Sequence, residues 1–152
     1  MKPVYTIDRV NSEELKKYDF AKYMLDQLPL FKEKFTGDFN LDNMTNEGAH
    51  HLLDGKMFFI CRRDGEITGH LICEIYTHPF DQDLRVLQQI SLWVKPDSGR
   101  TAYHLFQKFI DIGKCEADHI YTMLTSETNI KPSTLERMGF KYAETVYRME
   151  IK

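Results

Sequence analysis

"LWVKPDSGRTAYHLFQKF", residues 92–109, is the stretch on which the reading of this chain turns. An apolar run stops at Lys95-Pro96, and a short loop with one glycine and one arginine follows. Ala102, Leu105, Phe106, Phe109 and Ile112 then share one face of a helical period, so the pattern predicts strand, tight loop, helix. A helix entered this way aims its first unbonded N–H groups at whatever lies before the loop, and together with the helix dipole they suit a pyrophosphate. Gly99 allows close backbone approach, Lys95 and Arg100 bring positive charge, and Thr101 offers a hydroxyl, while Asp97 opposes an anion. A plain strand-to-helix connection would look the same, so the order of elements around the loop has to decide.

Upstream, "VYTIDRV" (4–10) reads as a strand, and Asn11 with Glu14 as a capping box. Leu15, Tyr18, Ala21, Leu25 and Leu28 recur at helical spacing until Pro29. "FKEKFTGDFNLDNM" (31–44) is irregular, and a short helix is predicted near 45–53. "MFFICRR" (57–63) and "EITGHLICEIYTH" (66–78) flank Asp64-Gly65, a two-residue turn whose members both tolerate positive φ, which predicts a hairpin. A loop with Pro79, Asp81 and Asp83 leads to a strand over 85–94. Downstream, "HIYTML" (119–124) reads as a strand. "PSTLERMG" (132–139) reads as a short helix with Pro132 near its start and Gly139 as its stop, and "FKYAETVYRMEI" (140–151) as a last strand. With no repeat, linker or low-complexity tract, residues 1–152 are expected to form a single α/β (α+β) domain around a mixed sheet.

Composition narrows the function classes. The chain has 42% hydrophobic and 28% charged residues and a net charge of −3, which disfavours nucleic acid as the main partner. No apolar run approaches the ~20 residues of a membrane span, and the N-terminus lacks signal-peptide character, so a cytoplasmic protein without membrane contact is expected. Cys61, Cys73 and Cys115 show no CxxC spacing and are read as buried free thiols. His50-His51 are adjacent, hence about 100° apart on a helix, and form no metal pair. No metal site is expected.

The order of elements, taken with three local matches, resembles the GNAT family of acyl-CoA-dependent N-acyltransferases. "DGEITGHL" is similar to that family's hairpin between strands two and three, "VKPDSGRTAYHLF" to its pyrophosphate loop after strand four, and "LERMGFKY" to the end of its last helix with the following Gly-Phe. The resemblance covers residues 57–150 in order and spacing; residues 1–56 match in element type only. It implies a central mixed, mostly antiparallel sheet flanked by helices, with strands four and five splayed into a fork. It implies acetyl-CoA as acyl donor. Backbone N–H groups from Gly99 through Arg100, Thr101 and Ala102 to Tyr103 would hold the pyrophosphate, the main chain of Leu92, Trp93 and Val94 would pair with the pantetheine arm, and Asn129 would meet the cofactor. The acceptor would be an amine of a small molecule or a protein, and the family commonly forms homodimers. The loop departs from the family's usual Arg/Gln-x-x-Gly-x-Gly/Ala pattern at Ser98, Thr101 and Tyr103.

Acyl transfer needs a base for the amine proton and an acid for the departing thiolate. Where many members carry a glutamate on strand four this chain has Ser91, and where many carry a tyrosine before the Gly-Phe it has Leu135. Glu74, alternating with His70 and Tyr76 on strand three, is the substitute expected to act as base, and Tyr147, with Tyr142 on the same strand, the substitute acid. A salt-bridged strand glutamate and packing tyrosines are the competing readings. Gln89, Ser91 and Trp93 are expected on one face of strand four, where Trp93 would wall the acceptor pocket or join the core. Ser91 shows no His/Asp relay in the sequence, and Asp81 and Asp83 with Glu74 and Glu127 would attract a cationic amine. The second function class is a GNAT-like module that has lost turnover and serves binding or regulation.

Overall fold

The structure is a computed structural model and describes residues 1–10, 54–124 and 130–143. Strands β1 (Tyr5–Val10), β2 (Met57–Arg63), β3 (Glu66–His78), β4 (Asp81–Val94) and β5 (His119–Tyr121) make one sheet in the order β1-β2-β3-β4-β5. Helix α1 (Thr101–Glu116) joins β4 to β5, and α2 (Pro132–Arg137) follows. The first four strands run antiparallel, and β5 lies parallel to β4. This is the mixed, mostly antiparallel α+β sheet expected from the sequence. Among the described residues no helix is long and apolar enough to cross a membrane.

The hairpins follow from local chemistry. Asp64 and Gly65 take φ of 52° and 88°, the double left-handed pair that keeps a two-residue turn in step with the strand twist. Residues 79 and 80 turn the next hairpin, so β4 begins at Asp81 rather than at 85. The regular ladder still starts where the sequence placed it: His78 pairs with Asp81, and pairing resumes only at Thr77 with Arg85. The acidic stretch between these pairs is an irregular, exposed edge.

Helix α1 packs its apolar stripe on one sheet face. Leu105, Phe106, Phe109 and Ile112 are buried against Phe59, Cys61, Leu71, Cys73, Leu87 and Leu135. Each large side chain withdrawn from water there contributes roughly 1.5–3 kcal/mol. The opposite face carries Phe58, Ile60, His70, Ile72, Val86 and Trp93, also buried. Two thiols fit the expectation and one does not: Cys61 and Cys73 are buried, whereas Cys115 is exposed, because the polar face of α1 carries it.

Helix α2 opens with Pro132 in its first turn. It closes where Gly139, at φ 96°, and Phe140 donate their N–H groups to the carbonyls of Glu136 and Leu135. Residues 140–143 are not in a strand, and the rest of the expected last strand lies outside the described residues. So do the helices expected between 11 and 53.

Candidate active site

The site begins with one extra residue. Across β3 and β4 the register runs Ile72 with Ser91 and then Cys73 with Gln89, leaving Ile90 unopposed. Such a bulge bends its strand and reverses which face each later residue occupies. Gln89 therefore shares a face with Cys73 and α1, while Ser91 and Trp93 stand on the other face with Ile72 and His70. This corrects the grouping of Gln89 with Ser91 and Trp93, which counted strictly by twos across the bulge.

The parallel ladder with β5 covers Val86, Leu87 and Gln88 and stops at the bulge. There the Gln89 side chain replaces backbone pairing: its amide donates to the Met123 carbonyl at 3.2 Å and its carbonyl accepts from the Thr122 hydroxyl. Only three of the residues expected in the fifth strand remain paired, because the strands part at this point. From Ile90 to Val94 the outer edge of β4 has no strand partner among the described residues. That gap is the expected fork.

Alternation decides which groups line it. The Lys95 N–H donates to the Thr68 carbonyl at 2.8 Å, so Lys95, Trp93 and Ser91 turn their main-chain groups toward β3. The N–H and C=O of Leu92 and Val94 consequently face the gap. Of the three residues expected to pair with a pantetheine arm, Leu92 and Val94 turn their main chain to the unpaired edge, whereas Trp93 bonds inward.

The slot ends at the loop before α1. Asp97 and Gly99 adopt φ of 58° and 67°, and Ser98 donates its N–H to the Lys95 carbonyl at 3.3 Å. Tyr5, reaching across from β1, accepts the Arg100 N–H at 2.9 Å, approaches the Ser98 carbonyl at 3.3 Å, and stacks on His104 at 4.5 Å. Thr101 is fully buried, and its hydroxyl turns inward to Ser98 O and Thr68 Oγ1 at 3.0 and 2.8 Å. The hydroxyl expected to face a ligand thus holds the loop to the sheet. Helix α1 has no side-chain cap, and the N–H groups of Thr101, Ala102 and Tyr103 have no partner among the described residues. The Arg100 guanidinium lies 4.6 Å from the centre of the exposed Tyr103 ring, a cation–π contact beside those N–H groups.

On the face away from α1, His70 Nε2 lies 3.1 Å from Ser91 Oγ, and His70 Nδ1 is buried with no hydrogen-bond partner among the described residues. No histidine neighbours Ser91 in the sequence, since His70 is 21 positions away; β3–β4 pairing brings the two together. Burial lowers the His70 pKa to about 4, so the ring is uncharged at neutral pH. Glu74 is partly exposed and paired with Lys56 at 3.7 Å. Leu135, at the family's tyrosine position, is buried in the α1 core. Tyr142 is exposed, while Tyr147, Asn129, Glu127, His50 and His51 lie outside the described residues.

Solved structures match nearly the whole chain. An aminoglycoside acetyltransferase from an uncultured soil metagenomic sample, in complex with sisomicin, is similar at TM-score 0.70 and 12% identity, over 97% of this chain and 95% of its own. A predicted acetyltransferase from Clostridium acetobutylicum, solved with acetyl-CoA, gives TM-score 0.67 and 10% identity over 97% and 96% of the two chains. A ribosomal-protein-alanine N-acetyltransferase from Brucella melitensis biovar Abortus 2308 gives 0.62 and 16% over 98% and 99%. The fold is that of the GNAT acetyltransferases. No protein-family model matches the sequence, and no curated protein matches it. At such identities the GNAT likeness resides in backbone architecture.

Proposed function

We propose that this chain is an N-acetyltransferase that moves an acetyl group from acetyl-CoA directly to an amine of a small molecule or protein. The observation that carries this reading is the continuity of the fork with the helix terminus. Main-chain groups of Leu92 and Val94 and then the N–H groups of Thr101, Ala102 and Tyr103, all without a partner among the described residues, follow one another with Arg100 beside them. A strand-like amide chain followed by a pyrophosphate meets both needs in turn. When bound, acetyl-CoA supplies an activated acyl carbon: a C–N bond forms as the C–S bond breaks, the electron pair leaves on sulfur, and the amine loses one proton.

Glu74 is the proposed recipient of that proton, acting through water. It lies on the sheet face of His70 and Ser91, and its ion pair with Lys56 at 3.7 Å orients it without burying it. Asn129 is proposed to meet the cofactor and Tyr147 to protonate the leaving sulfur. Thr101 serves by its main chain alone. Structures of this fold include an aminoglycoside acetyltransferase and a ribosomal-protein-alanine acetyltransferase, so an acceptor screen begins with aminoglycosides and alanine-starting peptides.

Calorimetric titration of acetyl-CoA and CoA is the test. Stoichiometric micromolar binding that weakens at least tenfold in Arg100→Glu supports the enzyme reading, and Glu74→Gln should then bind normally while turning over at least tenfold more slowly. The apolar Leu135 at the usual acid position favours a second reading, a binding module without turnover. Failure to bind either ligand would leave that reading in possession.

A further inference from the structure

The His70–Ser91 pair has no part in the expected chemistry, yet it stands beside the slot. His70 is 2% exposed, its ring held edge-on by Phe58 at 5.8 Å and stacked by Trp93 at 6.1 Å. One ring nitrogen meets Ser91, and the other has no partner among the described residues. A neutral imidazole carries one proton, so the two nitrogens must divide one donor and one acceptor role between them. An N–H sealed away from any acceptor forfeits a whole hydrogen bond, and such orphans are rarer in proteins than unsatisfied acceptors. The proton therefore belongs on Nε2, and Ser91 Oγ accepts it.

That assignment orients the serine. With its oxygen accepting from His70, the Ser91 hydroxyl proton points elsewhere, and no acceptor for it exists among the described residues. Ser91 is half-buried at the first paired position after the bulge, next to Leu92, whose main chain faces the slot. We propose that Ser91 is a fixed hydrogen-bond donor to the acyl carbonyl oxygen of acetyl-CoA, and that His70 is the positioning residue that keeps its proton aimed there. The inference rests on the acetyltransferase reading and adds to it. Ser91 replaces the family's usual glutamate with a group that stabilises charge developing on oxygen, transferring no proton. A base role for the pair fails on the same environment: a proton on Nδ1 would sit in a dry site with no carboxylate partner among the described residues.

Two spectroscopic measurements test this without requiring a known acceptor. In full-length protein labelled with 15N-histidine, long-range proton–nitrogen correlation at pH 7 should show His70 protonated at Nε2 and bare at Nδ1. The Nε2 signal should shift in Ser91→Ala and stay near its wild-type position in Ser91→Thr. A ring protonated at Nδ1, or at both nitrogens, overturns the proposal. With acetyl-CoA labelled with 13C at the carbonyl, the bound signal should move downfield of the free thioester. Ser91→Thr and His70→Gln, which keep a donor in place, should preserve that displacement, and Ser91→Ala should abolish it. Equal displacement in wild type and Ser91→Ala also overturns the proposal. Absence of acetyl-CoA binding by the wild type is a different result: it removes the enzyme reading, and with it the donor's target, whatever tautomer His70 shows.

Discussion

At the scale of single residues, Gly99 and Tyr5 depend on each other. Gly99 sits at φ 67°, and a methyl group there would stand 2.5 Å from the Tyr5 hydroxyl that accepts the Arg100 N–H. Gly99→Ala should therefore cost about 1–2 kcal/mol in urea unfolding and weaken acetyl-CoA binding, since the loop must move or strain. Loss of stability without loss of affinity would show that the loop shape does not govern acetyl-CoA binding. The thiols offer a second residue-scale check. Burial raises the Cys61 pKa and pushes Cys73 up to about 12, so both stay protonated and unreactive at pH 8. Ellman's reagent should label Cys115 alone in the native protein and reach the other two only on unfolding. Leu135 was legible as a departure from the family's pattern, but its role as a core residue was not, because burial depends on what packs above it.

At the scale of elements, Gln89 is the rivet of the fork. Its two side-chain bonds hold Thr122 and Met123 where the β4–β5 ladder ends. Gln89→Ala should remove both and let the short strand fray, accelerating amide exchange at Ile120 and Tyr121 at least tenfold, while β2 and β3 amides remain slow. Uniform acceleration throughout the sheet would instead assign Gln89 a global packing role. The sequence made the β2–β3 hairpin readable to the residue because Asp64-Gly65 carries the turn's own dihedral requirement. It did not reveal the bulge at Ile90, since nothing in "LQQISLWV" marks which residue goes unpaired. That one insertion moved Ser91 and Trp93 to the face of His70 and left Gln89 facing α1.

For the whole molecule, stability should depend on pH through His70 on the acid side and Cys73 on the alkaline side. The folded-state pKa of His70 is depressed from 6.5 to about 4, so its contribution is complete above the unfolded value and is lost as pH falls through the folded one. The loss is on the order of 3 kcal/mol between pH 6.5 and 4. Cys73 is raised from 9.0 to about 12, so its contribution is present below the lower value and lost as pH climbs through the interval. Urea unfolding at pH 7, 5 and 4 should show the acid decline, with a shallower slope in His70→Gln; equal slopes would mean that other groups control the acid limb. The sequence by itself determined the order of the described elements, the hairpin turn, the apolar face of α1 and the Gly99–Arg100 loop, because each is written in residues adjacent in chain or one helical turn apart. Only the tertiary structure decided where β4 and β5 part, that Tyr5 occupies the Arg100 N–H, that Thr101 turns inward, and that His70 meets Ser91. Those outcomes depend on strand register and on burial by distant segments, and neither is a local property of the chain.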